Sequence, residues 1–275
     1  MWQPRSTITL LLLPLTLLFA IFLYSGYRFS SKIIPMASIQ PLRSLIVNPT
    51  SKHTATVIFI HGLGDSGNGW KPVADIFQRD PAMSHIKWVL PHAPERPVTA
   101  NMGISMPSWF DIISFGFESR EDEKGMIETM SSINALISAE LSSTDIDASR
   151  IVLGGFSQGA AMSLLTGLTS ERKLAGVVAL SGWLPLKSKF QAMTTPHTTQ
   201  TPVFWGHGTS DPLVLYRFGT ESREFLTSKI GFKLTTGLTA GLDFRSYQGM
   251  AHSTCQTELD DLRAWLKRII PQDSE

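Results

Sequence analysis

The sequence predicts an α/β fold: a mostly parallel sheet covered by helices on both faces. Three observations predict it. Short aliphatic runs alternate with longer amphipathic ones from residue 56 to the C-terminus, the rhythm of repeated strand–helix–strand units. Ile151–Leu168 joins a β-branched run to an Ala-, Met- and Leu-rich run through Gly155-Phe156-Ser157-Gln158-Gly159, a strand, a tight turn and a helix. The 275 residues, 43% hydrophobic and 17% charged, suffice for one domain with a large core.

Taken in order, the chain first presents a segment unlike the rest. Ile8–Tyr24 is apolar apart from Thr9, Pro14 and Thr16, with Arg5 before it and Arg28 and Lys32 after it. Its length is at the lower limit for a membrane-spanning helix. The run is long for the core of a signal peptide and no small-x-small cleavage site follows, so a retained signal anchor is favoured over a cleaved signal. A translation start at Met36 would remove it. Residues 1–35 are therefore assigned to an anchor and linker, and 36–275 to the catalytic domain.

Residues 37–55 read as a polar, mostly extended entry. Thr56–Ile60 is a strand ending in His61-Gly62-Leu63-Gly64-Asp65-Ser66-Gly67. Trp70–Arg79 reads as a helix and Lys87–Leu90 as a strand; Pro91–Ser108 reads as a Pro- and Met-rich loop. Met126, Met130, Ile133, Ile137 and Leu141 recur at three- and four-residue spacing, so 124–141 is an amphipathic helix. Beyond the serine turn, Leu174–Leu180 and Thr201–Trp205 are strands and 185–200 a surface loop. Phe218–Ile230 is a helix, Asp243–Tyr247 the last strand, and Ser253–Ile270 the terminal helix.

A formal net charge of +1 offers no electrostatic case for binding nucleic acid. The single cysteine, Cys255, excludes an intramolecular disulfide and a cysteine-based zinc cluster and fits a reducing compartment. It is expected as a small buried hydrophobe. No metal or cofactor site is expected: His61 and Asp65 lack a third ligand at useful spacing. The glycines of Gly62–Gly67 match a dinucleotide fingerprint only formally.

The chemistry sits at strand ends. Ser157 occupies the nucleophile position of a Gly-x-Ser-x-Gly elbow, where Gly155 and Gly159 lack the Cβ atoms that would collide as strand and helix pass closely. Asp211 follows the Thr201–Trp205 strand and His252 follows Asp243–Tyr247. The chain order Ser157, Asp211, His252 is that of α/β-hydrolases. His252 would take the serine proton and return it to the leaving group, and Asp211 would hold the imidazole tautomer. Asp65, Asp111 and Asp243 are fallback acids, the last at the wrong end of its strand. His61 and His207, each followed by glycine, read as loop-shaping residues bonded to backbone. The N–H groups of Leu63 and Gln158 are the candidate oxyanion donors.

These stretches resemble the acyl-protein thioesterase family, a branch of the α/β-hydrolases that includes small carboxylesterases and lysophospholipases. The similarity also runs through Pro91-His92-Ala93-Pro94, Met106-Pro107-Ser108-Trp109-Phe110-Asp111 and Leu180-Ser181-Gly182-Trp183-Leu184-Pro185, in family order between residues 57 and 270. It implies Ser157, Asp211 and His252 as triad and Leu63 with Gln158 as oxyanion donors. It further implies hydrolysis of fatty acyl thioesters on S-acylated protein cysteines, with some action on lysophospholipids and short esters. An acyl groove needs apolar lining, for which Leu63, Met106, Trp109, Phe110, Trp183 and Leu213 are the candidates. Where some family members carry a lipidated cysteine near the N-terminus, this chain carries residues 8–24, which would tether a cytoplasmic catalytic domain to a membrane. The competing readings are a secreted esterase, a hydrolase of small esters or lactones, and a non-catalytic lipid-binding scaffold.

Overall fold

The computed structural model describes residues 41–114, 120–237 and 239–272; the predicted anchor at 8–24 lies outside them. Among the described residues no helix is long and apolar enough to cross a membrane.

The strands are β1 (Ser44–Val47), β2 (Ala55–Ile60), β3 (Ile86–Pro91), β4 (Glu95–Val98), β5 (Ile104–Pro107), β6 (Ile151–Phe156), β7 (Gly176–Leu180), β8 (Val203–Gly208) and β9 (Leu242–Tyr247). The longer helices are α1 (Gly67–Gln78), α2 (Glu123–Ser143), α3 (Gln158–Leu168), α4 (Tyr216–Phe225) and α5 (Gln256–Ile269). Seven strands form one sheet in the order β1-β3-β2-β6-β7-β8-β9. β1 runs antiparallel to β3, and the remaining pairs are parallel.

Alternation along the strands builds two cores. Ile58 and Ile60 of β2 face the side packed by Met126, Ile133 and Ile137 of α2 and by α3. Val57 and Phe59 face Trp70 and Phe77 of α1 and Trp265 of α5. A parallel sheet buried on both faces must be apolar throughout, which is why β2 is six consecutive buried residues. α3 is buried along its whole length, and this explains why it carries no charged residue.

The structure departs from the sequence reading in four places. The polar entry contains β1, whose Leu45-Ile46-Val47 closes the sheet edge. The Pro-rich loop folds into a separate β4–β5 hairpin, with Glu95 opposite Pro107 and Val98 opposite Ile104. Proline is tolerated there because a two-stranded ladder leaves half its N–H groups unpaired. Met102, at its tip, has φ 54° and is 88% exposed. Within 185–200 lie an α-helical turn, Lys187–Phe190, and two 3-10 turns, Gln191–Met193 and Thr198–Gln200. The terminal helix begins at Gln256, with Cys255 as its partly exposed N-cap residue rather than a buried hydrophobe.

The nucleophile turn depends on the contact between α3 and β2. A Cβ on Gly159 would lie 2.1 Å from the Ile60 carbonyl oxygen, and one on Gly155 would lie 2.4 Å from the Gly159 carbonyl carbon. Backbone atoms cannot yield as a flexible side chain can. Gly159→Ala is expected to lose about 3 kcal/mol of stability, read as a lowered urea midpoint. An unchanged midpoint would show that α3 can move away from β2.

Candidate active site

Ser157 stands between β6 and α3 with φ 55° and ψ −119°, a conformation costing on the order of 1–3 kcal/mol for a residue with a Cβ. The turn is clamped by the Ser157 N–H donating to Leu180 O (2.9 Å) and by Ala161 N–H donating to Ser157 O (3.1 Å). The strain lifts Oγ clear of the sheet, where His252 Nε2 lies 2.9 Å away.

His252 Nδ1 is 2.7 Å from Asp211 Oδ2. The other oxygen, Asp211 Oδ1, accepts the N–H groups of Leu213 and Val214, each at 2.9 Å. The carboxylate is buried, and these charge-assisted bonds compensate its lost hydration. With Asp211 accepting at Nδ1–H, Nε2 carries the lone pair that faces the serine hydroxyl. Phe156, the residue before Ser157, packs its ring 4.8 Å from the His252 imidazole. His252 sits in the turn four residues before α5.

Two other histidines stay neutral supports. Ala93 N–H donates to His61 Nε2 (3.1 Å), which puts the proton on Nδ1, and Nδ1 donates to Gly62 O (2.7 Å). Burial holds this imidazole below its ordinary pKa. His207 donates from Nε2 to Val214 O at 2.8 Å, and burial lowers it as well. Among the fallback acids, Asp111 accepts from Thr99, Asp243 pairs with Arg245, and Asp65 is exposed.

A cavity of about 280 Å³ opens on Ser157. Gly62, Leu63 and Gln158 border it near the serine, and Ile112, Phe156, Trp183, Leu213 and Val214 make it apolar. Gly62 approaches closely enough that an added Cβ would touch Ser157 Cβ at 3.4 Å, which brings the Leu63 loop against the elbow.

Of the candidate groove residues, Leu63, Trp183 and Leu213 line this cavity; Met106, Trp109 and Phe110 do not. Trp109 is fully buried, its Nε1–H donating to His61 O at 2.8 Å. Phe110 borders a neighbouring space of about 30 Å³, and Met106 packs against the main core. The Gln158 side chain has a role the sequence did not suggest. Its Oε1 accepts Trp109 N–H (2.9 Å) and its Nε2 donates to Phe110 O (2.7 Å). Gln158 and His61 together pin the Ser108–Phe110 segment beside the elbow. Ile112 and Val214 also line the cavity, and only their nearness to Asp111 and Asp211 hinted at it. Among the described residues no group of His, Cys, Asp or Glu could hold a metal ion.

Residues 42–270 match the phospholipase/carboxylesterase family. The chain is 53% identical to acyl-protein thioesterase 1 of Cryptococcus neoformans var. neoformans over 236 residues, covering 83% of this chain and 98% of that protein. It is 45% identical to acyl-protein thioesterase 1 of Mycosarcoma maydis, covering 84% and 98%. Among solved structures it is similar to SOBER1 of Arabidopsis thaliana, with 32% identity, TM-score 0.71 and coverage of 79% and 99%. It is also similar to acyl-protein thioesterase 2 of Zea mays, with 29% identity, TM-score 0.70 and coverage of 83% and 99%. The elbow, the strand order and these likenesses agree: the chain belongs to the phospholipase/carboxylesterase family of α/β-hydrolases, on its acyl-protein thioesterase branch.

Proposed function

We propose that this chain hydrolyses fatty acyl thioesters of S-acylated protein cysteines through a Ser157 acyl-enzyme. The observation that carries the proposal is an apolar cavity opening on a serine already hydrogen-bonded to a histidine–carboxylate pair. Ser157 Oγ attacks the acyl carbon as its proton passes to His252 Nε2. The carbonyl oxygen becomes an oxyanion facing the N–H groups of Leu63 and Gln158. The C–S bond then breaks, and His252 returns the proton to the departing sulfur. Water, deprotonated by the same nitrogen, attacks the acyl-Ser157 ester; that C–O bond breaks, and Ser157 regains its proton as the fatty acid leaves. Asp211 stays ionised and stabilises the imidazolium at each transfer. Lysophospholipids and short esters are secondary substrates, and residues 8–24 would bring the catalytic domain to acylated proteins at a membrane.

Leu63, Trp183 and Leu213 would hold the hydrocarbon. Each methylene buried contributes about 0.8 kcal/mol, so kcat/KM should rise at least tenfold from an acetyl to an octanoyl thioester of one peptide. The test is hydrolysis of acetyl, octanoyl and palmitoyl peptide thioesters by the full chain. Preference for acetyl, or turnover of short oxygen esters alone, would remove the fatty-acyl assignment.

A further inference from the structure

His252 borders two spaces. Beyond the apolar cavity, a second groove of about 250 Å³ is walled by Trp70 and Val73 of α1 and by Ser253 and Thr254 after the histidine. Phe156, His252 and Asp65 border both spaces, so the two meet at the imidazole. Asp65 stands where they join, and the rest of their walls differ: Leu63, Ile112, Trp183, Leu213 and Val214 make the first mainly hydrocarbon, whereas the second adds the hydroxyl side chains of Ser253 and Thr254.

Resting on the thioesterase reading of Ser157, we propose that this second groove holds the leaving group, namely the peptide flanking the acylated cysteine, and that Asp65 favours cationic flanking residues over a phosphate-bearing leaving group. The argument is directional. Four substituents surround the tetrahedral carbon. One is Ser157 Oγ, and another is the oxyanion facing Leu63 and Gln158. The acyl chain needs the apolar cavity. The fourth, the departing sulfur, must lie where His252 Nε2 can protonate it, and the groove along Ser253 and Thr254 adjoins that nitrogen's ring. Its lining includes no lysine or arginine, and Asp65 is its carboxylate. Asp65 is held over the first turn of α1 because Gly69 leaves room: a Cβ there would lie 2.4 Å from both carboxylate oxygens. A lysine or arginine beside the acylated cysteine meets attraction there, whereas a glycerophosphate meets repulsion.

The test compares kcat/KM of the full chain on four octanoyl substrates. These are a cysteine peptide flanked by lysines, the same peptide flanked by glutamates, the thioester of N-acetylcysteamine, and an anionic lysophosphatidylglycerol. Each is measured with the parent, Asp65→Lys and Val73→Trp at low and high salt. The parent should prefer the lysine over the glutamate peptide by roughly fivefold at low salt, and less at high salt. Asp65→Lys should reverse that order. Val73→Trp, which fills the groove, should lower the ratio of lysine-peptide to N-acetylcysteamine turnover about tenfold. If both ratios stay at parental values while the small thioester is still cleaved, the groove assignment falls and the thioesterase reading stands. If the lysophospholipid is cleaved faster than the lysine peptide, the leaving-group preference falls. If no thioester is cleaved at all, both proposals fall together.

Discussion

Ser157→Ala is expected to lower kcat on an acyl thioester by about a millionfold, the scale on which losing the nucleophile of a hydrolytic triad acts. The substitution removes Oγ and keeps Cβ, so the clamp by Leu180 O and the close passage of Gly155 and Gly159 are untouched. Folding should be preserved, and a thermal midpoint within a degree or two of the parent separates lost chemistry from lost structure. His252 keeps its bond to Asp211 but has no hydroxyl to deprotonate. On the proposed mechanism the rate that survives comes from water attacking directly beside the proposed oxyanion donors, typically 10³–10⁴-fold above solution in such sites. A fluorophosphonate should label the parent and not the variant. Activity within tenfold of the parent would mean that another group is the nucleophile.

The second large effect is on stability and lies in the first turn of α5. Glu258 is 0% exposed, and neither of its carboxyl oxygens has a hydrogen-bond partner. It fits against β8 because residue 206 is glycine; a Cβ there would lie 2.1 Å from Glu258 Oε1. Burial, then the nearby Asp261 charge, pushes the carboxyl up to about 8 from an ordinary 4.5. Asp261 is itself held by Arg245 at 2.6 Å and by the Tyr247 hydroxyl at 3.0 Å, so Arg245 is committed elsewhere. The sign follows. Between pH 4.5 and 8 the unfolded chain has released this proton and the folded chain keeps it, so raising pH through that window favours unfolding. The loss is on the order of 5 kcal/mol across the window and stops growing above it. Glu258→Gln cannot ionise and should flatten the dependence, leaving the variant more stable than the parent at pH 8. Urea unfolding at pH 5 and pH 8 measures both slopes. Equal slopes would mean that the carboxyl is ionised in the folded protein.

Much of the site was legible because its signals are local. A serine between glycines, joining an aliphatic run to a helix-forming one, constrains the backbone whatever the surroundings. The order of Ser157, Asp211 and His252 at strand ends then leaves few partners. The parallel strands were legible because β2, β6, β7 and β8 are buried on both faces and so read as mostly apolar runs, interrupted by Thr56 and His207. Elements formed by pairing were harder to see. Four residues, Ser44–Val47, become a strand only because β3 has an open edge, and Glu95–Val98 carries a proline that argues against a strand in a larger sheet. The groove was half legible for a related reason. Trp109, Phe110 and Trp183 are all aromatic and adjacent to strand ends, and nothing local states which way each points. The direction is set by the Gln158 amide and the His61 carbonyl, which turn Trp109 inward. Cys255 is only partly buried: residue type predicts burial only on average, and here it stands at the N-cap position of a surface helix without a side-chain capping bond.

β9 is the last strand at the far edge of the seven-stranded sheet, beside β8, and the turn after it delivers His252. On the proposed mechanism, Ser157 and Asp211 therefore leave the ribosome before the base that serves them, His252. A nascent chain ending anywhere before residue 252 holds a serine with nothing to deprotonate it. Catalytic competence would be withheld until the last strand has docked, so hydrolysis by this chain can serve as a clock for completion of its folding.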